Sequence, residues 1–206
     1  MKPQWIAFEG IEGVGKSTQV AFFNQLCQSN GIPTLLTREP GGTPIAEAIR
    51  QILISHHEEK LLPRTEALLM YASRVQHLQH AILPALAAGK WVICDRFHDA
   101  SFAYQGAGRQ LGLETMKKLN TWAIDDHRPD VVFILDAPVP VAMTRILARG
   151  KKDRFEEETQ EFFERIRQCY LQLANSDPTR YCIIDASGGI DSVQAQLKQQ
   201  WEHLRS

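Results

Sequence analysis

The chain of 206 residues lacks an excess of positive charge. It contains 23 Lys and Arg residues against 24 Asp and Glu residues, so its formal net charge is −1 at neutral pH. Nucleic-acid-binding domains usually carry a clear basic excess. The charge balance therefore argues against a nucleic-acid partner, while it still allows a local basic cluster to hold a small polyanion.

Paired cysteines and long apolar runs are also missing. The four cysteines, at positions 27, 94, 169 and 182, are scattered, with no CxxC pair and no His-Cys cluster. This favours free thiols in a reducing compartment over disulfides or a zinc site, and we expect a cytoplasmic protein. Glu9 ends the first apolar run after four residues, so neither a signal peptide nor a membrane anchor is predicted.

Short apolar strands alternate with helical patterns along the chain. Strands are predicted over 5–9, 32–37, 91–94, 130–135 and 181–184. Helices are predicted over about 16–29, 44–55, 64–88, 114–125, 139–149, 159–174 and 192–204, with a further one near Ser101. Near-continuous apolar strands separated by helices indicate a parallel sheet covered on both faces. We therefore expect a single α/β domain over 1–206, with three layers and a five-stranded parallel sheet whose ligands bind at the carboxyl ends of the strands.

A phosphate-binding loop follows the first predicted strand. Residues 10–17 read GIEGVGKS and match GxxxxGK[ST] without a gap. In this motif the backbone N–H groups cradle phosphates, the lysine reaches the β- and γ-phosphates, and the hydroxyl binds Mg²⁺. The predicted site for ATP phosphates and Mg²⁺ comprises Gly10, Ile11, Glu12, Gly13, Val14, Gly15, Lys16, Ser17 and Thr18. The motif alone leaves open a GTPase switch, a transporter motor or a small-molecule kinase.

Asp95 and Arg96 come directly after the third predicted strand, so both belong at the same edge of the sheet as the phosphate loop. A carboxylate there can hold Mg²⁺ through water, and a guanidinium can bind a phosphate with two hydrogen bonds. A structural ion pair is the alternative reading. Glu9, at the end of the first strand, is a candidate for supporting the loop or orienting Arg96.

Two predicted helices carry further polar residues. Arg74, beside Tyr71, is either a surface residue or a donor to a base next to an aromatic ring. Ser101, Tyr104 and Gln105 are three and four positions apart, which places them on one helix face. Ser and Gln side chains can read a pyrimidine edge, but an ordinary polar helix face has the same pattern.

One stretch of the chain is densely basic, with Arg145, Arg149, Lys151, Lys152 and Arg154. A solvated helix end is the usual meaning of such a run. Here Gly150 predicts a helix end, and positions 12–14 of the phosphate loop contain no arginine. We therefore expect a mobile lid over about 149–156 that brings an arginine to the transition state, with Arg149 as the first choice and Arg154 as the second.

Four segments of the sequence indicate which class of nucleotide-binding protein this chain resembles. They are residues 8–18 (FEGIEGVGKST), 37–43 (TREPGGT), 95–97 with 103–106 (DRF and AYQG), and 148–150 with 153–154 (ARG and DR). Together, in this order and spacing, they resemble bacterial thymidylate kinases, a family of P-loop nucleoside monophosphate kinases. The resemblance runs from end to end. It implies transfer of the γ-phosphoryl group of ATP to dTMP in the presence of Mg²⁺, and a homodimer formed through helices.

The resemblance also implies roles for individual residues. It assigns Arg96 to the phosphate of dTMP, Glu12 to the 3′-hydroxyl, Arg74 to thymine and Tyr104 to the sugar. The family commonly has a phenylalanine over the base. In this chain either Met70 or Tyr71 could cover the base, and the sequence does not decide between them. The implied dTMP site comprises Glu12, Arg38, Glu39, Arg50, Met70, Tyr71, Arg74, Arg96, Ser101, Tyr104 and Gln105.

The chemistry needs no strong general base, because a phosphate monoester is already largely ionised near neutral pH. Catalysis is then positioning and charge neutralisation by Lys16, Mg²⁺ held by Ser17 and Asp95, Arg96 and a lid arginine. Adenine is expected near residues 186–189. Another nucleoside monophosphate or deoxynucleoside kinase is the nearest alternative. A nucleotide-dependent switch is a more distant one, since the chain has no NKxD motif.

Overall fold

Five strands form the centre of the computed structural model, which describes residues 2–150 and 154–205. They are β1 (Trp5–Glu9), β2 (Thr34–Arg38), β3 (Trp91–Asp95), β4 (Val131–Asp136) and β5 (Tyr181–Asp185). Neighbouring strands pair in parallel, in the order β2-β3-β1-β4-β5. This confirms the expected α/β fold and its five-stranded parallel sheet. β1 is the central strand, and its carboxyl end lies between those of β3 and β4.

Helices lie between successive strands and after the last one. Those in the described residues are α1 (Lys16–Ser29), α2 (Pro44–Ile54), α3 (Pro63–His77), α4 (Leu83–Ala87), α5 (His98–Ser101), α6 (Leu113–Ile124), α7 (Val139–Arg149), α8 (Gln160–Ser176) and α9 (Ile190–Arg205). The predicted bounds agree within two residues; the second strand, for example, begins at Thr34 and not at 32. Parallel strands require such crossovers, which cover both faces of the sheet.

The core between the sheet and the helices α1 and α9 contains a cluster of aromatic rings. Phe8 of β1 and Phe133 of β4 contact each other and Phe23 of α1, and Phe23 in turn contacts Trp201 of α9. All four rings are almost fully buried, and burying such a ring stabilises a fold by roughly 1.5–3 kcal/mol. Because side chains alternate along a strand, Glu9 points to the opposite face from Phe8, towards α8.

Two wider, π-helical turns interrupt the expected helices. Leu78–Ile82 joins α3 to α4, and Phe102–Gly108 extends α5. In the first, the Leu83 N–H donates to the carbonyl of Leu78, and Pro84 follows, which offers no N–H to the preceding turn. The long helix predicted over 64–88 is therefore α3 and α4 with a π-helical turn between them.

Candidate active site

A cavity of 680 Å³ opens at the carboxyl ends of the strands. Its wall is formed by the phosphate loop, the turn after β2, one face of α3, the segment after β3, the end of α7 and the loop between β5 and α9. Its lining includes Glu12, Lys16, Ser17, Arg38, Glu39, Arg50, Met70, Arg74, Asp95, Arg96, Ser101, Tyr104, Arg149 and Gly188. The structure thus brings most of the sequence-predicted residues to one cavity.

The phosphate loop packs tightly against the structure behind it. Gly13 has φ 80°, and a Cβ atom there would lie 2.2 Å from the carbonyl oxygen of Ala142. Only glycine combines this backbone conformation with so close an approach. Lys16 folds back over the loop, and its Nζ donates to the carbonyl oxygens of Gly10 at 3.1 Å and Ile11 at 2.8 Å. The loop is therefore closed around its own lysine.

Ser17 and Asp95 meet at the start of α1. The Ser17 hydroxyl donates to Asp95 Oδ2 at 3.3 Å. Asp95 Oδ1 is buried and has no hydrogen-bond partner among the described residues. Buried polar atoms in proteins are normally satisfied, so this oxygen suits a ligand-borne partner such as a metal-bound water. Within residues 2–150 and 154–205, no group of three or more His, Cys, Asp or Glu side chains could hold a metal by itself.

Arg96 lines the cavity and is held by several hydrogen bonds. Its backbone has φ 72°, and its N–H donates to the carbonyl of Phe8 at 2.9 Å. One terminal nitrogen donates to Gly10 O and the Tyr170 hydroxyl, at 2.9 and 3.2 Å. The other donates to Glu12 Oε1 at 2.8 Å and to the Tyr104 hydroxyl at 2.9 Å. The guanidinium is thus held from several sides.

The Glu12 carboxylate lies close to two cations, Arg96 and Lys16. Burial alone would raise its pKa, but Arg96 and Lys16 outweigh burial and hold the pKa at about 2. Its carboxylate lies 2.8 Å from Arg96 and 3.7 Å from Lys16. An ionised carboxylate therefore stands between the two cations that the sequence assigned to acceptor and donor phosphates.

Glu9 and Tyr170 support Arg96 from below. Glu9 is fully buried; its Oε1 accepts from the Phe97 N–H and its Oε2 from the Tyr170 hydroxyl, both at 2.7 Å. Burial, and next the charge of Asp99, raise the pKa of Glu9 from 4.5 to about 7. Tyr170 was missed from the sequence, because it lies 74 positions from Arg96 and nothing in the local pattern of α8 marks it.

At the far end of the cavity, Arg74 takes part in a buried network. Its Nε donates to Glu39 Oε2 at 2.7 Å, and its terminal nitrogens donate to Ser101 Oγ at 2.9 Å and Phe97 O at 3.1 Å. Arg74 is 1% exposed, so the alternative of a surface residue is wrong. Around it, Arg50 donates to Pro40 O at 2.9 Å, while Arg38 pairs with Glu47.

Two residues expected at this end do not line the cavity. Tyr71 is buried, and its hydroxyl donates to the carbonyl of Met116 at 3.2 Å; Met70 lines the cavity instead. Gln105 is also buried, and its amide donates to Glu66 Oε1 at 2.9 Å. Ser101 and Tyr104 line the cavity as expected.

The two arginines expected in a lid have different surroundings. Arg149 ends α7, lines the cavity and pairs with Glu156. Arg154 does not line it; its side chain donates to Leu53 O at 3.0 Å and to Glu66 Oε2 at 2.7 Å. Lys151 and Lys152 lie outside the described residues. Arg145, which the sequence marked only as basic, donates to the carbonyls of residues 186–188, the loop expected near adenine.

A chain with this sheet, a phosphate loop on its central strand and an arginine facing that loop within one cavity is a P-loop nucleotide kinase. Sequence comparisons give the family. The family model described as "Thymidylate kinase" matches residues 8–197. The chain belongs to the thymidylate kinase family, whose members are phosphotransferases that use ATP to phosphorylate dTMP.

Individual relatives agree with this assignment. A thymidylate kinase of Neisseria meningitidis is 46% identical over 199 residues, covering 97% of this chain and 96% of the relative. One from Pseudomonas putida is 46% identical over 197 residues, covering 96% and 94%. One from Alcanivorax borkumensis is 44% identical over 206 residues, covering 100% and 99%. In the part of the chain that the structure describes, no helix is long and apolar enough to cross a membrane.

Proposed function

We propose that this chain binds dTMP between Arg96 and Arg74 and transfers the γ-phosphoryl group of ATP to it. The observation that carries the proposal is the position of Arg96. Its guanidinium lies in the same cavity as Lys16, with Glu12 within 4 Å of both cations. Two anions bound by Arg96 and Lys16 would therefore face each other across a short gap, which is the arrangement that in-line phosphoryl transfer needs.

The acceptor half of the cavity suits a pyrimidine nucleotide. Each terminal nitrogen of Arg74 carries two N–H groups, and Ser101 and Phe97 account for one on each. The others suit a carbonyl oxygen of the base. Met70 lines the cavity beside Arg74, so we propose Met70 rather than Tyr71 as the side chain against the base. Tyr104 packs over Arg96, with the guanidinium carbon 4.7 Å from the ring centroid, and suits contact with the sugar.

The donor half suits ATP with Mg²⁺. Ser17 and Asp95 would hold the ion, directly through the hydroxyl and through water for the carboxylate, and the ion would neutralise charge on the phosphates. The backbone N–H groups of residues 13–18 would bind the phosphate oxygens. The loop at 186–189, fixed by Arg145, is available for adenine.

We propose that residues 149–156 act as a lid within a single domain of 1–206. Arg149 lines the cavity at the end of α7 and would neutralise charge on the transferred group. Closure over the phosphates would exclude water, which otherwise competes with dTMP as acceptor. The acceptor oxygen is already ionised, so no side chain is needed as a base.

A substrate panel tests the proposal. Release of ADP is measured with dTMP, dUMP, dCMP, dGMP and AMP as acceptors at equal concentration. We expect dTMP to be the best acceptor and dUMP to be second, since one methyl group is worth about 1–3 kcal/mol of discrimination. A purine monophosphate that outperforms dTMP would overturn the thymidylate assignment and leave the kinase class intact.

We also propose a cytoplasmic homodimer. Leu68 of α3 and Leu113 and Trp122 of α6 are exposed, with Trp122 at 82%. α3 and α6 pack against each other, so exposed apolar side chains lie on two adjoining helices. Large exposed apolar side chains grouped in this way are typical of an interface. Sedimentation at micromolar concentration is expected to give twice the mass of one chain, and a monomer there would contradict the proposal.

A further inference from the structure

Behind Arg74, a row of buried side chains continues away from the cavity. Glu39 binds Arg74 Nε through Oε2, and its other oxygen, Oε1, lies 3.1 Å from His77 Nδ1. His77 Nε2 in turn lies 2.6 Å from Thr37 Oγ1. His77 is fully buried and does not line the cavity. Neither the phosphate loop nor the arginine assignments give this histidine a role.

The chemistry of the two partners fixes how the imidazole is used. An ionised carboxylate can only accept a hydrogen bond, so Nδ1 carries the proton that faces Glu39. A threonine hydroxyl can donate as well as accept, so in the neutral ring with its proton on Nδ1, Nε2 accepts from Thr37. A neutral imidazole therefore satisfies both partners at once. The ring joins the end of β2 to α3 through two side-chain hydrogen bonds.

The surrounding backbone leaves the ring little choice of position. A Cβ atom on Gly42 would lie 2.4 Å from His77 Cδ2, so the turn after β2 rests directly on the imidazole. The N–H of Gly41 donates to Ser73 Oγ at 3.2 Å, one helical turn before His77. Met70, Arg74 and His77 are spaced four and three positions apart, so they lie on one face of α3.

We propose that His77 is a positioning residue for dTMP: it holds the Glu39 carboxylate, which in turn fixes the fork of Arg74 against the base. Side chains that orient a binding group commonly matter nearly as much as the group itself, because a fixed geometry saves the entropy of ordering it on binding. This inference rests on the proposed function, since it needs Arg74 to contact the base.

The test compares His77→Leu and His77→Asn with His80→Leu. Leucine removes both hydrogen bonds, while asparagine keeps a donor near the position of Nδ1. His80 is exposed in the π-helical turn that follows α3, so it provides a matched control. For His77→Leu we expect KM for dTMP to rise on the order of tenfold, from one lost hydrogen bond to a buried charge. KM for ATP should stay within about twofold, and His77→Asn should recover part of the loss.

A ligand without the base separates positioning from a general structural effect. The inhibition constant of 2-deoxyribose 5-phosphate against dTMP reports the phosphate and sugar contacts alone. It should be the same in wild type and His77→Leu. An equal weakening of dTMP, ATP and the baseless ligand would make His77 a purely structural residue and overturn the inference.

Two further variants keep the test decisive. Thr37→Val preserves the side-chain shape and removes only the hydrogen bond between Thr37 and His77. We expect a smaller rise in KM for dTMP, and this variant can be measured even if His77→Leu fails to fold. An unchanged KM for dTMP would contradict the inference. Arg74→Lys keeps the charge that Glu39 needs but loses the fork. If Arg74→Lys binds dTMP normally, the proposed base site is wrong. If it binds dTMP weakly while His77→Leu and Thr37→Val bind it normally, only the role of His77 is wrong.

Discussion

Arg149, at the end of α7, is the proposed partner of the transferred phosphoryl group. It is 58% exposed, lines the cavity and pairs with Glu156. A transition-state arginine in related phosphoryl transfers contributes 10³–10⁵ in kcat. We therefore expect Arg149→Ala to lower kcat by about that factor and to leave dTMP affinity nearly unchanged. Arg149→Lys should recover only part, because an ammonium cannot contact two oxygens in one plane.

Steady-state kinetics and dTMP titration of both variants measure this expectation, with Arg154→Ala alongside. If Arg154→Ala abolishes turnover while Arg149→Ala stays within a few-fold of wild type, a lid arginine is used but Arg149 is not that residue. If neither variant matters, Lys16, Arg96 and the metal ion neutralise the charge alone.

Arg96 should act on the acceptor and not on the donor. Its guanidinium binds the Glu12 carboxylate at 2.8 Å, and a dTMP phosphate would take over charge-assisted hydrogen bonds of this kind in place of Glu12. Arg96→Ala is expected to lower kcat/KM for dTMP by a factor that corresponds to roughly 2–5 kcal/mol, with ATP binding little changed. Arg64→Ala, an exposed arginine of α3 outside the cavity, is the matched control. Normal turnover of Arg96→Ala would reduce Arg96 to a structural partner of Glu12.

Glu9 should make the stability of the fold depend on pH between about 4.5 and 7, above the range in which exposed carboxylates titrate. Its pKa is raised from 4.5 to about 7, so the folded protein keeps a proton there that the unfolded chain releases. The associated stability is complete below pH 4.5 and is lost as pH rises through about 7. Burial raises the pKa of Tyr170 well above its ordinary value, so its hydroxyl stays a donor to Glu9 throughout.

Urea unfolding of wild type and Glu9→Gln between pH 4.5 and 8 measures this effect. Relative to Glu9→Gln, the wild type should lose on the order of 3 kcal/mol across that range, since each unit of pKa shift is worth about 1.4 kcal/mol. Parallel stability curves for the two proteins would mean that Glu9 titrates at an ordinary pH in the fold.

At the scale of elements, Glu66 joins three parts of the chain. It is fully buried in α3, and its carboxylate accepts hydrogen bonds from Gln105, Arg109 and Arg154. Arg109 also pairs with Glu158, before α8. One buried carboxylate thus fixes the π-helical turn at 102–108 and the carboxyl-terminal part of the proposed lid to α3.

Glu66→Gln should therefore destabilise the fold strongly. It leaves two guanidinium groups without their shared buried counter-charge, and breaking a buried pair in this way costs about 3–5 kcal/mol. Glu114→Gln, an exposed change at the start of α6, should be near neutral. Chemical denaturation at one pH compares the two variants. A loss below 1 kcal/mol for Glu66→Gln would show that Arg109 and Arg154 find other partners.

The elements also explain which parts of the site could be predicted. Lys16, Ser17, Asp95 and Arg96 are fixed by strand ends, and parallel strands bring their carboxyl ends to one edge whatever the details of packing. Gln105 was misplaced because spacing along one helix does not report its partner on another: its amide donates to the buried Glu66 of α3, 39 positions away.

Contacts that span the chain could not be predicted from local patterns. Tyr71 is turned away from the cavity, because its hydroxyl donates a hydrogen bond to the backbone carbonyl of Met116. Met116 lies 45 positions further along the chain, so the choice between Met70 and Tyr71 could not be made from the local sequence. The partners of Glu9 and Glu66 lie from 39 to 161 positions away. Burial of these acids is set by packing between layers, which periodicity within one helix or strand does not report.

At the scale of the whole molecule, the position of β1 in the sheet should determine how slowly its amide hydrogens exchange with solvent. β1 pairs with β3 on one side and β4 on the other, whereas β2 lies at an edge and pairs with β3 alone. Amides of a doubly paired central strand exchange with solvent only when the whole domain opens, while edges open locally. The hydrogens of β1 should therefore be among the last to exchange, and those of β2 should exchange sooner. The strand that carries the phosphate loop would then keep its place through every local opening that admits nucleotides and releases products.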